Sequence, residues 1–145
     1  MPPDSTGHRC SVLVVEDDRD LQEVLRVALT ADGYAVRIAE NGRDAIDSLR
    51  SHADICFVLL DLLLPSIDGP AFRRIQLRDR SLAWIPVVVM SGATDAEAIA
   101  RNLQAAGVVK KPIDLDLLRR ELATTASRCR TGRNSEELAA VQAEP

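Results

Sequence analysis

Aromatic residues are scarce: one Trp, one Tyr and two Phe in 145 residues. That leaves no material for a stacking platform of the kind that binds single-stranded nucleic acid. Basic residues are not in excess either. Lys plus Arg total 18 against 22 Asp plus Glu, a formal net charge of -4. The sequence therefore has no field to hold a phosphodiester backbone, and no direct nucleic-acid binding is expected. Histidine is limited to His8 and His52, far apart and without Cys at ligand spacing, which excludes a histidine-built metal or catalytic site. No run of 18 apolar residues occurs, so no membrane span is expected. The polar stretch from Met1 to Arg9 lacks the apolar segment of a signal peptide, which points to a cytoplasmic address.

Cysteine is also sparse. Cys10, Cys56 and Cys129 are odd in number, widely spaced and free of any Cys-x-x-Cys pattern. This argues against a disulfide framework or a zinc site. Cys56 lies in the apolar run from Ile55 to Leu60 and reads as a buried, inert thiol.

What is present is a regular alternation. Short apolar runs at 11–15, 34–39, 55–60, 85–90 and 108–109 read as strands. Between and after them lie helical patterns. Leu21, Val24, Leu25, Ala28 and Leu29 mark one apolar face, and Ala45, Ile46 and Leu49 mark a second. A third helix runs from Pro70 to Arg80, and a fourth from Ala96 through Leu103 to Gly107. Leu115, Leu118 and Leu122 mark the last. Asp18, Asn41 and Asp114 stand where helix caps belong. Strands apolar throughout, each followed by a helix, predict a parallel sheet covered on both faces. The expected fold is α/β, doubly wound, with right-handed crossovers.

Ligands of such sheets bind outside the carboxyl ends of the strands. Those ends carry the chemistry here. Glu16 and Asp17 follow the first strand, Asp61 ends the third, Ser91 the fourth and Lys111 the fifth. Converging carboxylates repel unless a cation joins them. All-oxygen donors select a hard ion, and too few are present for a calcium cage, so Mg²⁺ is the expected metal. A carboxylate can attack phosphorus and form an acyl phosphate. Asp61, on the most apolar strand, is the candidate nucleophile, with Lys111 and the Ser91 hydroxyl placed to bond phosphoryl oxygens. Lys110 reads as solvated. Other strand-end chemistries fit less well. A haloacid-dehalogenase-like phosphatase wants a second Asp two residues after the nucleophile, where Leu63 stands. No G-x-G-x-x-G follows the first strand, which disfavours a dinucleotide site.

The stretches Val12-Leu-Val-Val-Glu-Asp-Asp18, Val58-Leu-Leu-Asp-Leu-Leu-Leu-Pro-Ser-Ile-Asp-Gly69, Pro86-Val-Val-Val-Met-Ser-Gly92 and Val109-Lys-Lys-Pro112 resemble the receiver domain of two-component response regulators. The resemblance covers about residues 10–125. It implies a flavodoxin-like (βα)5 sheet of order 2-1-3-4-5. It implies that Glu16 and Asp17 support Mg²⁺ together with Asp61 and the Leu63 backbone carbonyl. It further implies that Asp61 is phosphorylated from a histidine kinase or histidine phosphotransfer protein, with Ser91 the switch hydroxyl and Lys111 the phosphoryl contact. Two departures stand out. Val108 occupies the position of the family's aromatic switch residue, and Leu63 and Ala93 border the in-line water without any group to orient it. The second departure predicts self-dephosphorylation over hours rather than seconds.

The expected organisation is a short lead at 1–9, a receiver domain at 10–126 and a tail at 127–145 without an output domain. Such a protein would act through its own contacts with an unknown downstream protein or by phosphorelay, as a monomer or a phosphorylation-dependent dimer. The alternative is a phosphorylation-independent interaction module on the same fold.

Overall fold

The computed structural model describes residues 10–64 and 68–125. The lead at 1–9, Pro65 to Ile67, and the segment from 126 onward, with His8, Cys129 and the tail, lie outside the described residues.

Five parallel strands form one sheet in the order β2-β1-β3-β4-β5. They are β1 (Ser11–Val15), β2 (Ala35–Ala39), β3 (Ile55–Asp61), β4 (Val87–Ser91) and β5 (Gly107–Lys110). The expected strand order is the one observed. Four helices separate them: α1 (Arg19–Ala31), α2 (Gly42–Ser51), α3 (Gly69–Arg78) and α4 (Ala96–Asn102). A fifth, α5, occupies residues 115–125.

The three inner strands are apolar except for Ser11, Asp61 and Ser91 at their ends, because helices cover both faces. Successive side chains of a strand point to opposite faces. Leu13, Val15, Val58, Leu60, Val87 and Val89 pack with Ala45, Ile46 and Leu49 of α2, Phe72 of α3 and Ala100 of α4. Val12, Val14, Phe57, Leu59, Val88 and Met90 pack on the other side with Leu25 and Leu29 of α1 and Leu118 and Leu122 of α5. Tyr34 meets Phe57 edge to face, with ring centroids 5.5 Å apart.

Four helix starts follow the capping rule; only α4, preceded by Asp95, has no side-chain cap bond. The Asp18 carboxylate accepts from the N–H groups of Asp20 and Leu21. Asn41 accepts from Asp44 N–H, Asp68 from Ala71 N–H, and Asp114 from Asp116 and Leu117 N–H. Each side chain satisfies donors that the first turn leaves unpaired. Gly33, at φ 94°, adopts the left-handed turn that ends α1 and leads into β2.

Several boundaries differ from expectation. Helix α3 begins at Gly69 and stops at Arg78, where Asp79 turns the chain and accepts from Ser81 N–H. Helix α4 stops at Asn102 because Gln104 takes φ 55°, which the helix cannot continue through. Strand β5 gains Gly107 and Lys110 through its pairing with Val88 and Ser91. On α1 the buried face contains Gln22 in place of Val24, which is 48% exposed. The cysteine reading is also corrected. Cys10 and Cys56 form a disulfide with Cα atoms 5.4 Å apart. Pairing between β1 and β3 slips by one residue: Ser11 faces Ile55 but Val12 faces Phe57. Cys56 is the residue left over, and such an insertion re-aims a side chain. Sequence spacing carries no trace of that slip.

Candidate functional site: an acidic pocket at the carboxyl ends of the strands

Strand order reverses between β1 and β3, and the crevice over that point is where doubly wound sheets bind ligands. Glu16 follows β1 directly. Its N–H donates to Ala39 O at 3.0 Å, and its own carbonyl accepts from the Gln22 side chain at 2.6 Å. Gln22 was not singled out from the sequence. A polar residue at helical spacing with Leu25 and Leu29 was the signal available.

Glu16 is 1% exposed and Asp61 5% exposed, whereas Asp17 is open to solvent. One carboxylate oxygen from each of the three lies within 4.8 Å of the others. Lys111 answers two of them. Its Nζ donates to Glu16 Oε1 at 2.9 Å and lies 3.2 Å from Asp61 Oδ2. Asp61 Oδ1 accepts from the Leu63 backbone N–H at 3.1 Å, which fixes the plane of the carboxylate. The Leu63 side chain is 84% exposed at the mouth of the site. Gly69 closes the loop behind Asp61. A Cβ there would come within 2.9 Å of Leu62 Cα and 3.0 Å of Asp61 O, so only glycine fits without backbone movement.

Ser91 stands at the end of β4. Its hydroxyl accepts from Ala93 N–H at 3.0 Å, and its carbonyl accepts from Lys111 N–H at 2.9 Å. The Lys111–Pro112 peptide is cis. The expected residues Glu16, Asp17, Asp61 and Lys111 thus meet at one place, with Ser91 and Leu63 attached to it through backbone bonds. Lys110 points away and sits 3.8 Å from Glu97, both side chains solvated. Val108 is half-buried against the α2–α4 side of the core.

The electrostatics of the pocket are unbalanced. Burial pushes the Glu16 carboxyl up to about 8, the Asp61 carboxylate adds to the rise, and Lys111 opposes it. Burial alone would lower Lys111, but Glu16 and Asp61 outweigh it and hold the ammonium above its ordinary value. Among the described residues, Glu16 Oε2 is buried without a hydrogen-bond partner. A buried acceptor left unpaired costs about 1–3 kcal/mol. Oxygen donors with one atom unpartnered, beside an exposed Asp17, fit a hard divalent cation such as Mg²⁺.

The family model described as "Response regulator receiver domain" matches residues 12–123. This chain belongs to that family. The receiver is 37% identical over 106 residues to the transcriptional regulatory protein CseB of Streptomyces coelicolor, an alignment covering 71% of this chain and 43% of CseB. It is 34% identical to the response regulator MprA of Mycolicibacterium vanbaalenii, covering 74% of this chain and 46% of MprA. The chain therefore spans under half the length of these curated relatives. Among solved structures, the signal receiver domain of a Luxo repressor protein from Vibrio parahaemolyticus superposes with a TM-score of 0.77 at 25% identity, covering 88% of this chain and 98% of that one. A response regulator from Chloroflexus aurantiacus shares the fold at a TM-score of 0.77 and 23% identity, over 82% of this chain and 98% of that one. Among the described residues no helix is long and apolar enough to cross a membrane.

Proposed function

We propose that this receiver is a phosphoacceptor response regulator of two-component signalling that takes a phosphoryl group on Asp61. The observation that carries the reading is the Asp61 carboxylate, 3.2 Å from Lys111 Nζ and next to an unpartnered Glu16 oxygen. The donor is a phosphohistidine of a histidine kinase or histidine phosphotransfer protein. A carboxylate oxygen of Asp61 attacks phosphorus, the P–N bond breaks, and the imidazole leaves with a proton. The Leu63 N–H holds the other carboxylate oxygen in plane. Lys111 stabilises the charge on the equatorial oxygens, and the Ser91 hydroxyl turns from Ala93 N–H to donate to one of them. Glu16, Asp17, Asp61 and the Leu63 carbonyl would hold Mg²⁺, which supplies charge neutralisation at the phosphoryl oxygens when bound.

Signalling follows from the Ser91 and Lys111 movements. With Val108 in the aromatic position, the switch uses backbone displacement and not an aromatic rotamer. The chain acts in the cytoplasm, through contacts with a downstream protein or by phosphorelay, as a monomer or a phosphorylation-dependent dimer. Exposed Leu63 and Ala93 offer no hydrogen bond to an attacking water, so the acyl phosphate lasts hours.

The test is incubation with acetyl phosphate and Mg²⁺, read by intact mass. One phosphoryl group is gained, and none in Asp61→Asn or in EDTA. No gain, together with no Mg²⁺-dependent response to beryllofluoride, overturns the reading in favour of a phosphorylation-independent interaction module.

A further inference from the structure

The Cys10–Cys56 pair lies at the end of the sheet opposite the acidic pocket. Both residues are half-buried and neither is sealed in the core. Both pack on the edge of the core shared by α1 and α5. Their meeting depends on the one-residue slip between β1 and β3, which leaves Cys56 outside the regular pairing and opposite Cys10. The reduced state is also provided for. The Cys56 sulfur lies 3.6 Å from the Asp54 carbonyl, an acceptor for its S–H when the disulfide is open. A second tie holds the same two strands whatever the state of the sulfurs. The Ser11 hydroxyl donates to the Asp54 carboxylate, which Arg37 of β2 also grips at 3.2 Å, and Ser11 N–H donates to Asp54 O. These bonds join the strand ends without involving the sulfurs.

We infer that Cys10 and Cys56 are a reversible thiol–disulfide modification site whose oxidant is a low-molecular-weight disulfide. The inference is independent of the role of Asp61. One thiolate attacks a sulfur of the small disulfide, whose S–S bond breaks and releases one thiol. The other cysteine then attacks the mixed disulfide and releases the second. Two cysteine thiols are oxidised and one small disulfide is reduced to two thiols. In a reducing compartment the pair rests as thiols and closes when the oxidant rises.

Closure joins residues separated by 46 positions and encloses β1, α1, β2 and α2. That half of the receiver carries the Glu16–Asp17 pair. A crosslink removes open states of the enclosed segment, so the oxidised form resists local unfolding there. Asp61 lies five residues along β3 from Cys56, about 16 Å for an extended strand. At such distance effects are independent, so phosphoryl uptake changes by no more than about twofold.

The experiment uses the full chain, reduced and then equilibrated at graded ratios of oxidised to reduced glutathione. Free thiols are alkylated, and the products are read by intact mass and peptide mapping. Cys10 and Cys56 should become protected together, with loss of two hydrogens and no retained glutathione, while Cys129 stays alkylatable. Amide exchange should slow across β1 and β2 in the oxidised form and stay unchanged across β4 and β5. Cys56→Ser and, should that variant fold poorly, Cys10→Ser abolish the response; Cys129→Ser keeps it. Protection of the two cysteines at different ratios, stable glutathione adducts, a linkage to Cys129, or uniform exchange in both states overturns the inference.

Discussion

Two buried polar clusters, one at the carboxyl ends of the strands and one between α3 and the end of α4, are built on opposite terms. At the carboxyl end, Glu16, Asp61 and Lys111 share a pocket in which one oxygen has no partner among the described residues and two carboxylates compete for one ammonium. Between α3 and the end of α4, Arg73 and Gln76 are as deeply buried, at 5% and 0% exposure, yet fully engaged. Arg73 donates to Leu103 O, Gln104 O and Gln76 Oε1, all within 2.9 Å. Gln76 donates to Leu82 O and Ile85 O. Burial lowers the pKa of Arg73, and carbonyl oxygens take the place of a counter-ion. The saturated cluster is scaffolding that fixes the turns after α3 and α4. The unsaturated one leaves an oxygen without a partner among the described residues, which marks it as the candidate site.

The widest separation between the two comes from Asp61→Asn. It removes phosphoryl uptake from acetyl phosphate completely while the fold is kept, as circular dichroism would report. Uptake in that variant would place the acceptor elsewhere. Lys111→Ala should slow uptake about a hundredfold, the usual loss on removing a donor to developing negative charge, measured as the initial rate by intact mass. Arg73→Ala should do the reverse. It strands three acceptors and opens a cavity, costing about 2–4 kcal/mol in urea unfolding, with phosphoryl uptake retained. A double-mutant cycle with Gln76→Leu should show coupling of about 0.5–3 kcal/mol, since the two side chains share one network. Additive effects would mean the cluster is two separate contacts.

The smallest effect is in pH dependence. Glu16 has its folded pKa raised, so between its ordinary range and about 8 the folded chain binds more protons than the unfolded one. Stability of the metal-free chain therefore falls as pH rises through that window. Glu16→Gln should flatten the slope. Mg²⁺ should stabilise the wild-type chain more at the upper end than at the lower, because its ligands bind deprotonated. Thermal unfolding with and without Mg²⁺ at several pH values measures both.

Much of this was legible in the residues. The strands were readable because burial on both faces makes them continuous apolar runs, as in Val87–Met90. The caps Asp18, Asn41 and Asp114 announced their helices, and the strand-end carboxylates and lysine announced the pocket. What was hidden had other causes. Nothing in the pattern of the Pro70–Arg80 helix singles out Arg73 and Gln76 as a buried network, because composition does not reveal which face meets backbone carbonyls. Val24 took the place of Gln22 in the expected apolar stripe for the same reason. The disulfide was invisible because it depends on a one-residue slip between strands distant in sequence.

The bond from Lys111 N–H to Ser91 O has a mechanical meaning. It continues the β4–β5 ladder past its last pair, Ser91 with Lys110, and so fastens the hydroxyl-bearing residue to the ammonium-bearing one. The loop after β4 and the loop after β5 share a single pivot. A displacement of Ser91 is therefore expected to carry Lys111 with it, with the sheet edge as the axle.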